Sequence, residues 1–312
     1  MMKKLMTAAV GVVLALGTYS ASAAVSDACK TVRLSNVGWT DISATTATAT
    51  TVLEALGYTV KTKVLSVPIT YMALKNNEID AFLGEWMPTS ETIIKPFKGT
   101  FEVVRANLTG AKYTLATNQY GVTVGIKDFA DIAKHKDILD GKIYGIDPGD
   151  DGNKTILNMI KANSSNLGGF ELVESSEQGM LSQVARADKA KKPIVFLGWE
   201  PHPMNSNFKM TYLSGGEEDF GPNYGGATVY TNVRVNYLQQ CPNVGQFLKN
   251  LVFSLDMENA IMGSILDEKM EPAQAAEAWL KKNPEVLGGW LKGVKATDGK
   301  DGEAAVKAAL GL

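Results

Sequence analysis

The stretch Thr31 to Trp86, TVRLSNVGWTDISATTATATTVLEALGYTVKTKVLSVPITYMALKNNEIDAFLGEW, decides the fold. Thr31–Val37 alternates as a strand does, with Val32 and Leu34 on one side. The run Ser43–Leu56 carries Val52, Leu53 and Leu56 at helical spacing, with Ser43 as its N-cap. Strand-like Tyr58–Leu65 follows, then a helix opened by Pro68 and running through Lys75, then the apolar strand Ala81-Phe82-Leu83. Strand, helix, strand, helix, strand is the pattern of a parallel or mixed sheet covered by helices, so the fold class is α/β.

Working outward, the alternation continues. Gly121–Gly125, Lys142–Ile146 and Pro193–Leu197 read as strands, Asn153–Ala162 and Glu177–Ala190 as helices. A glycine-rich passage, Gly215-Gly216 and then Gly225-Gly226, leads into a mostly helical tail: Val244–Leu255, Met257–Asp267 and Pro272–Lys281. No repeat or low-complexity linker separates two halves, so a domain boundary can be crossed more than once. A chain of 312 residues fits two α/β domains or one large one.

Composition excludes several classes of function. Hydrophobic residues make up 45% and charged residues 21%, a globular balance, and the formal charge is −2. A nucleic-acid partner needs a basic face that this chain lacks. Two cysteines and two histidines, His135 and His202, are too few for a structural zinc site, although an oxygen-ligated ion stays open. No cofactor motif is present.

Lys3 and Lys4, the apolar run Leu5–Gly17 and Ala21-Ser22-Ala23 form a signal peptide over residues 1–23, removed before Ala24. A retained anchor is the alternative, but the run is short for a permanent span. In an oxidising compartment Cys29 and Cys241 are expected to pair, the alternative being two buried free thiols.

Three of the five tryptophans fall at the carboxyl ends of predicted strands: Trp39 after Val37-Gly38, Trp86 after Gly84-Glu85, and Trp199 after Leu197-Gly198. Ligands of open α/β sheets bind in the crevice outside those ends. One such ring is ordinarily core, but three at equivalent positions would be exposed apolar surface unless a ligand with an apolar or cationic face covered them. Trp279 and Trp290 lie in the helical tail and read as packing residues.

Other chemistry fails on inspection. Pro148-Gly149-Asp150-Asp151-Gly152-Asn153-Lys154-Thr155 puts Pro148 and Asn153 where a phosphate loop needs glycine, and Asp150 and Asp151 would repel phosphate. It reads better as a strand-to-helix turn, with Asn153 at the helix N-terminus either capping or bonding a ligand. No serine-hydrolase or zinc-protease motif occurs. His202, between Pro201 and Pro203 beside Trp199, could serve as a base, but no nucleophile motif points to it; Glu217 and Glu218 read as a solvated loop.

Five ordered motifs carry a resemblance: Gly38-Trp39-Thr40-Asp41, Gly84-Glu85-Trp86-Met87-Pro88, Gly110-Ala111-Lys112-Tyr113, Gly149-Asp150-Asp151-Gly152-Asn153 and Gly198-Trp199-Glu200-Pro201-His202. Together they resemble the glycine betaine/choline-binding family of ABC-importer substrate-binding proteins, and within it the choline binders. The resemblance implies a type II periplasmic binding protein, two α/β lobes joined by a hinge with the ligand in the cleft between them. It implies lobe one over 24–112 and 216–312, and lobe two over 113–215. It implies an aromatic box of Trp39, Trp86, Tyr113 and Trp199 around a trimethylammonium group, with Asp41 and Asn153 holding choline's hydroxyl end and Cys29 bonded to Cys241. The partners it implies are choline and an ABC permease with its ATPase; the location is the periplasm, the state a monomer, and no metal, cofactor or catalytic residue is called for. Betaine or carnitine transport is the alternative within that role. A secreted choline-ester hydrolase using His202 is the alternative outside it, and a sensor domain is disfavoured because no signalling segment follows the binding fold.

Overall fold

A computed structural model describes residues 26–312, so the signal peptide read at residues 1–23 lies outside the described residues. Nine strands share one sheet: β1 Thr31–Asn36, β2 Thr59–Val64, β3 Ala81–Met87, β4 Phe101–Asn118, β5 Lys142–Tyr144, β6 Glu171–Val173, β7 Val195–Glu200, β8 Met210–Tyr212 and β9 Gly226–Arg234. Their order is β2-β1-β3-β9-β4-β7-β5-β6, with β8 added on β4. β1 runs parallel to β2 and β3, and β5 runs parallel to β6 and β7. β3 and β4 both pair antiparallel with β9, and β4 pairs antiparallel with β7. The sheet is therefore mixed: two parallel βαβ-type groups are joined through long antiparallel strands.

β4 performs the join. Its residues Phe101 to Lys112 pair with β9, and Lys112 to Thr117 pair with β7. Lys112 is the residue at which the strand changes partner. Neither β4 nor β9 is legible as a strand in the sequence, because their apolar alternation is broken by polar residues that the bulged β4–β9 pairing turns inward. Asn107, 1% exposed, is one: its Nδ2 donates to Leu83 O at 2.8 Å and to Thr231 Oγ1 at 2.9 Å, so the donor half of the amide is satisfied while Oδ1 has no protein partner.

The helices that frame the site are α1 Thr40–Ala55, α2 Val67–Lys75, α3 Gln119–Val124, α4 Asp151–Ala162 and α5 Glu177–Ala190. Those of the tail include α6 Pro242–Asn250, α7 Leu255–Leu266 and α8 Pro272–Lys282. Three expectations need correction. The predicted strand Gly121–Gly125 is helix α3: Asn118 Oδ1 caps Gly121 N at 3.0 Å, and Gly125, at φ 101°, ends the helix in the left-handed region. α1 starts at Thr40 rather than after Ser43, whose hydroxyl is instead held by the Asn36 side chain at 3.0 Å. The tail helix predicted over Val244–Leu255 stops at Asn250, and Ser254 caps the next one by accepting from Met257 N at 3.2 Å.

At the end of the sheet away from the tryptophans, Asp80 is 2% exposed and staples three strands. It accepts from Arg33 N at 2.8 Å, Arg33 Nη2 at 2.6 Å and Arg234 Nε at 2.8 Å. The two guanidiniums outweigh burial and hold its carboxyl below the usual range. Nearby, Cys29 and Cys241 form a disulfide with a sequence separation of 212. It ties the start of the described chain to the N-terminus of α6.

Closing so long a loop restricts the unfolded chain most strongly in the chain-entropy model. Non-reducing alkylation of the folded protein, prepared under oxidising conditions, should find neither thiol free. Cys29→Ala with Cys241→Ala should cost about 2–4 kcal/mol, read as a lower unfolding midpoint. Two reactive thiols before reduction would contradict the pairing.

Candidate functional site

Five elements send side chains into one cavity lined by Trp39, Asp41, Trp86, Tyr113, Ile146, Asp150, Asp151 and Trp199. Trp39 and Asp41 come from the start of α1. Gly38, at φ 91° and anchored by its N–H to Asn36 Oδ1 at 2.8 Å, makes the turn from β1 that presents them. Trp86 comes from β3, Tyr113 from β4 and Trp199 from β7. Tyr113 and Trp199 are direct cross-strand partners, so their rings share one face of the sheet, with centroids 6.3 Å apart and planes at 86°. Trp86 lies 5.9 Å from Tyr113 at 60°. All four rings are buried, Trp39 the most accessible at 7%.

Three carboxyls face the same space. Asp41 sits in the first turn of α1, while Asp150 caps α4 and Asp151 opens it. Two helix N-termini therefore converge on the cavity, and their partial positive charge favours acidic groups there. No lysine, arginine or histidine lines it among the described residues. Asp41 Oδ2 accepts from Trp86 Nε1 at 3.1 Å, and its Oδ1 has no partner. Burial, then the charge of Glu177, pushes Asp41 up to about 7, opposed by hydrogen bonds from Ile42 N–H and Trp86. Behind it, burial and then the Asp41 charge drive Glu258 of α7 well up. Tyr113 is raised well above its ordinary value by burial and the neighbouring aspartates, so it remains a phenol.

Two bridges close the cavity. Glu177, at the start of α5, accepts from Thr40 N at 2.8 Å, Thr40 Oγ1 at 2.5 Å and His202 Nε2 at 3.1 Å. Ser90 Oγ, just beyond β3, donates to Asp151 Oδ2 at 2.7 Å. Each bridge joins the β1–β3 half of the molecule to the β5–β7 half, so the protein is in a closed arrangement.

Of the residues singled out from sequence, Trp39, Asp41, Trp86, Tyr113 and Trp199 meet in this cavity. Asn153 does not line it. Its Nδ2 donates to Ile146 O at 3.0 Å and Glu174 Oε1 at 2.9 Å, and its Oδ1 accepts from Ile146 N at 3.0 Å. The amide is spent on fixing the β5–α4 loop. His202 is also outside: Nδ1 accepts from Met204 N at 2.9 Å, so the proton sits on Nε2 and donates to Glu177. Its ring packs 4.7 Å from Trp199 and props it. Asp150, Asp151 and Glu177 were missed. The first two stood in view as an acidic helix start, read only as hostile to phosphate; Glu177 looked like any first-turn glutamate.

A family model described as the substrate-binding domain of ABC-type glycine betaine transport systems matches residues 30–282. A solved ABC-transporter choline-binding protein in complex with choline is 65% identical, with a TM-score of 0.90 over 91% of this chain and 99% of that one. An ABC-transporter choline-binding protein in an unliganded semi-closed conformation is 66% identical, with a TM-score of 0.85 over 92% of this chain and 100% of that one. The glycine betaine/carnitine transport binding protein GbuC of Listeria monocytogenes is 30% identical over 159 residues, 51% of this chain and 52% of that protein.

The electrostatics sets a direction for pH. A cation bound in the cavity favours ionised Asp41, so binding should weaken as pH falls through about 7 and release protons on complex formation. Because Asp41 is raised from 3.8, the empty protein should lose stability as pH rises from there through about 7. Calorimetry of a quaternary ammonium in buffers of differing ionisation enthalpy measures the release. An affinity indifferent to pH across that window would remove Asp41 as the counter-charge.

Proposed function

The chain belongs to the family of substrate-binding domains of ABC-type glycine betaine transport systems, and on that premise we propose that it captures choline outside the cytoplasm and delivers it to an ABC permease and ATPase. The observation that carries this reading is a buried cavity with four aromatic rings, three carboxyls and no basic side chain. A trimethylammonium group has no N–H to donate, so ordinary hydrogen bonds cannot hold it. Ring faces offer negative potential to a weakly hydrated cation, each contributing roughly 0.5–2 kcal/mol when desolvated. Four such contacts sum to roughly 2–8 kcal/mol, the upper end of which is micromolar binding. The strong likeness to a choline-bound protein supports the same ligand.

The residues proposed to hold the cation are Trp39, Trp86, Tyr113 and Trp199, with Asp41 as counter-charge. The ligand-binding role read for Asn153 passes to supporting the loop that carries Asp150. A carboxylate ligand such as betaine or carnitine would meet Asp41 with no basic group to compensate, which favours choline. Residues 24–112 with 216–312 would form one lobe and 113–215 the other, β4 changing partner at Lys112 where the first division falls. Rings from both lobes then meet only when the cleft closes, so ligand stabilises the closed form by differential contact. An esterase reading loses its base, since His202 is committed to Glu177 and Met204 outside the cavity.

Titration calorimetry with choline, betaine and carnitine tests the reading. Choline should bind tightest, and Trp39→Ala, Trp86→Ala and Trp199→Ala should each weaken it more than about tenfold. Trp279→Ala, outside the cavity, should lower stability instead. Asp41→Asn should lose choline affinity and narrow the preference over betaine; tighter wild-type binding of betaine would overturn the choline assignment. Glu177→Ala removes a bridge without touching the cavity lining, so it should weaken choline about tenfold by depopulating the closed form. An unchanged affinity in that variant would show that the bridge does not bias closure.

A further inference from the structure

Three rings pack against Tyr113. Trp86 and Trp199 line the cavity with it; the third, Phe220, does not. Phe220 ends the single helical turn Glu217–Phe220 in the passage from β8 to β9, and it is fully buried. Its ring centroid is 6.3 Å from that of Tyr113 with planes at 86°, and 5.9 Å from that of the equally buried Phe129 at 58°. The main chain of Tyr113 is held from the same passage. Asn223, Tyr224 and Gly225 are three consecutive residues in the left-handed region, at φ 57°, 59° and 66°. A tyrosine there is costly, and with its own side chain 47% exposed it gains little from packing. Strain of that kind persists only where the surroundings impose it. Here they are Phe220 before the turn and Gly225 at its end, where a Cβ would collide with the carbonyl oxygen of Tyr113. Gly226 then pairs with Lys112, the residue before Tyr113.

Resting on the choline reading above, the geometry points to Phe220 as a positioning residue that, without touching the ligand, sets the Tyr113 ring at the distance from the cation that ring-face attraction needs. Such attraction requires the cation within about 6 Å of the ring centroid. Trp86, Trp199 and Asp150, which accepts from the Tyr113 hydroxyl at 2.7 Å, all border the cavity themselves. Phe220 is the ring contact that lies outside it, so it fills the space into which Tyr113 could otherwise retreat. A smaller side chain there leaves a void that the surroundings fill only in part. The left-handed turn seats the main chain under the same wall, so one passage fixes both the ring and the backbone of Tyr113. Its effect falls on the cationic head of the ligand, because the Tyr113 ring serves that end.

Titration calorimetry of Phe220→Leu, which stays apolar and removes the ring, tests this with choline and tetramethylammonium as the two probes. Both affinities should fall by roughly three- to tenfold, the range one aromatic pair supplies, with the stoichiometry per folded protein unchanged. A merely structural role would lower the unfolding midpoint and the fraction that binds, leaving the affinity of that fraction intact. In a Tyr113→Ala background, Phe220→Leu should change affinity less than about twofold, because the ring it positions is gone. Should Phe220→Leu not fold, Phe220→Met asks the same question with a side chain that adapts to the gap. Unchanged affinity in the folded single variant overturns the proposal. So does an equal loss in the Tyr113→Ala background, or a loss with choline that tetramethylammonium does not share. Wild-type protein that binds tetramethylammonium but not choline overturns the choline reading alone, and tetramethylammonium then still decides the role of Phe220. Wild-type protein that binds neither overturns both.

Discussion

Burying Asp41, Asp150 and Asp151 around one cavity with no basic side chain is the constraint on which the site depends. Carboxyls removed from water are costly unless something offsets the lost hydration. Here the offset is distributed over the helix N-termini of α1 and α4, the Trp86 indole N–H, the Tyr113 hydroxyl and the Ser90 hydroxyl. The side-chain donors among these belong to an aromatic wall or to a closing contact. The groups that stabilise the acids are thus the ones that shape the cavity, and what remains uncompensated is an excess of negative character that a cation relieves.

The same economy links closure to the walls. Glu177 joins Thr40, the residue between Trp39 and Asp41, to His202, which props Trp199. One carboxylate therefore connects the Trp39 and Trp199 walls through their neighbours. Asp151 connects the acid pair to the end of β3 in the same way. The bridged arrangement holds the aromatic walls together and satisfies buried polar groups at the same time.

Much of this was legible in the sequence. The β-α-β-α-β opening needed only alternation, helical spacing and Pro68. The tryptophans at strand ends marked the crevice because a parallel strand delivers its last residue to the ligand side of the sheet. Cys29 and Cys241 could be paired by count and compartment. The resemblance added Asp41 and Tyr113, neither of which has a local pattern that distinguishes it from a helix-start aspartate or a strand tyrosine.

What the tertiary structure decided was everything that depends on partners remote in sequence. β4 and β9 are strands because they find each other and their neighbours across more than a hundred residues, and their bulged pairing buries polar residues that blur the alternation. Asn153 and Asp150 stand three residues apart on one helix turn, and either could have faced the ligand. The loop carbonyls of Ile146 and Asp147 claim the amide, leaving the acid at the cavity. By itself the sequence determined the fold class, the crevice and its aromatic rings, because these follow from local periodicity and residue type. Which acids reach the cavity was decided only when burial set the hydrogen-bond partners of each side chain.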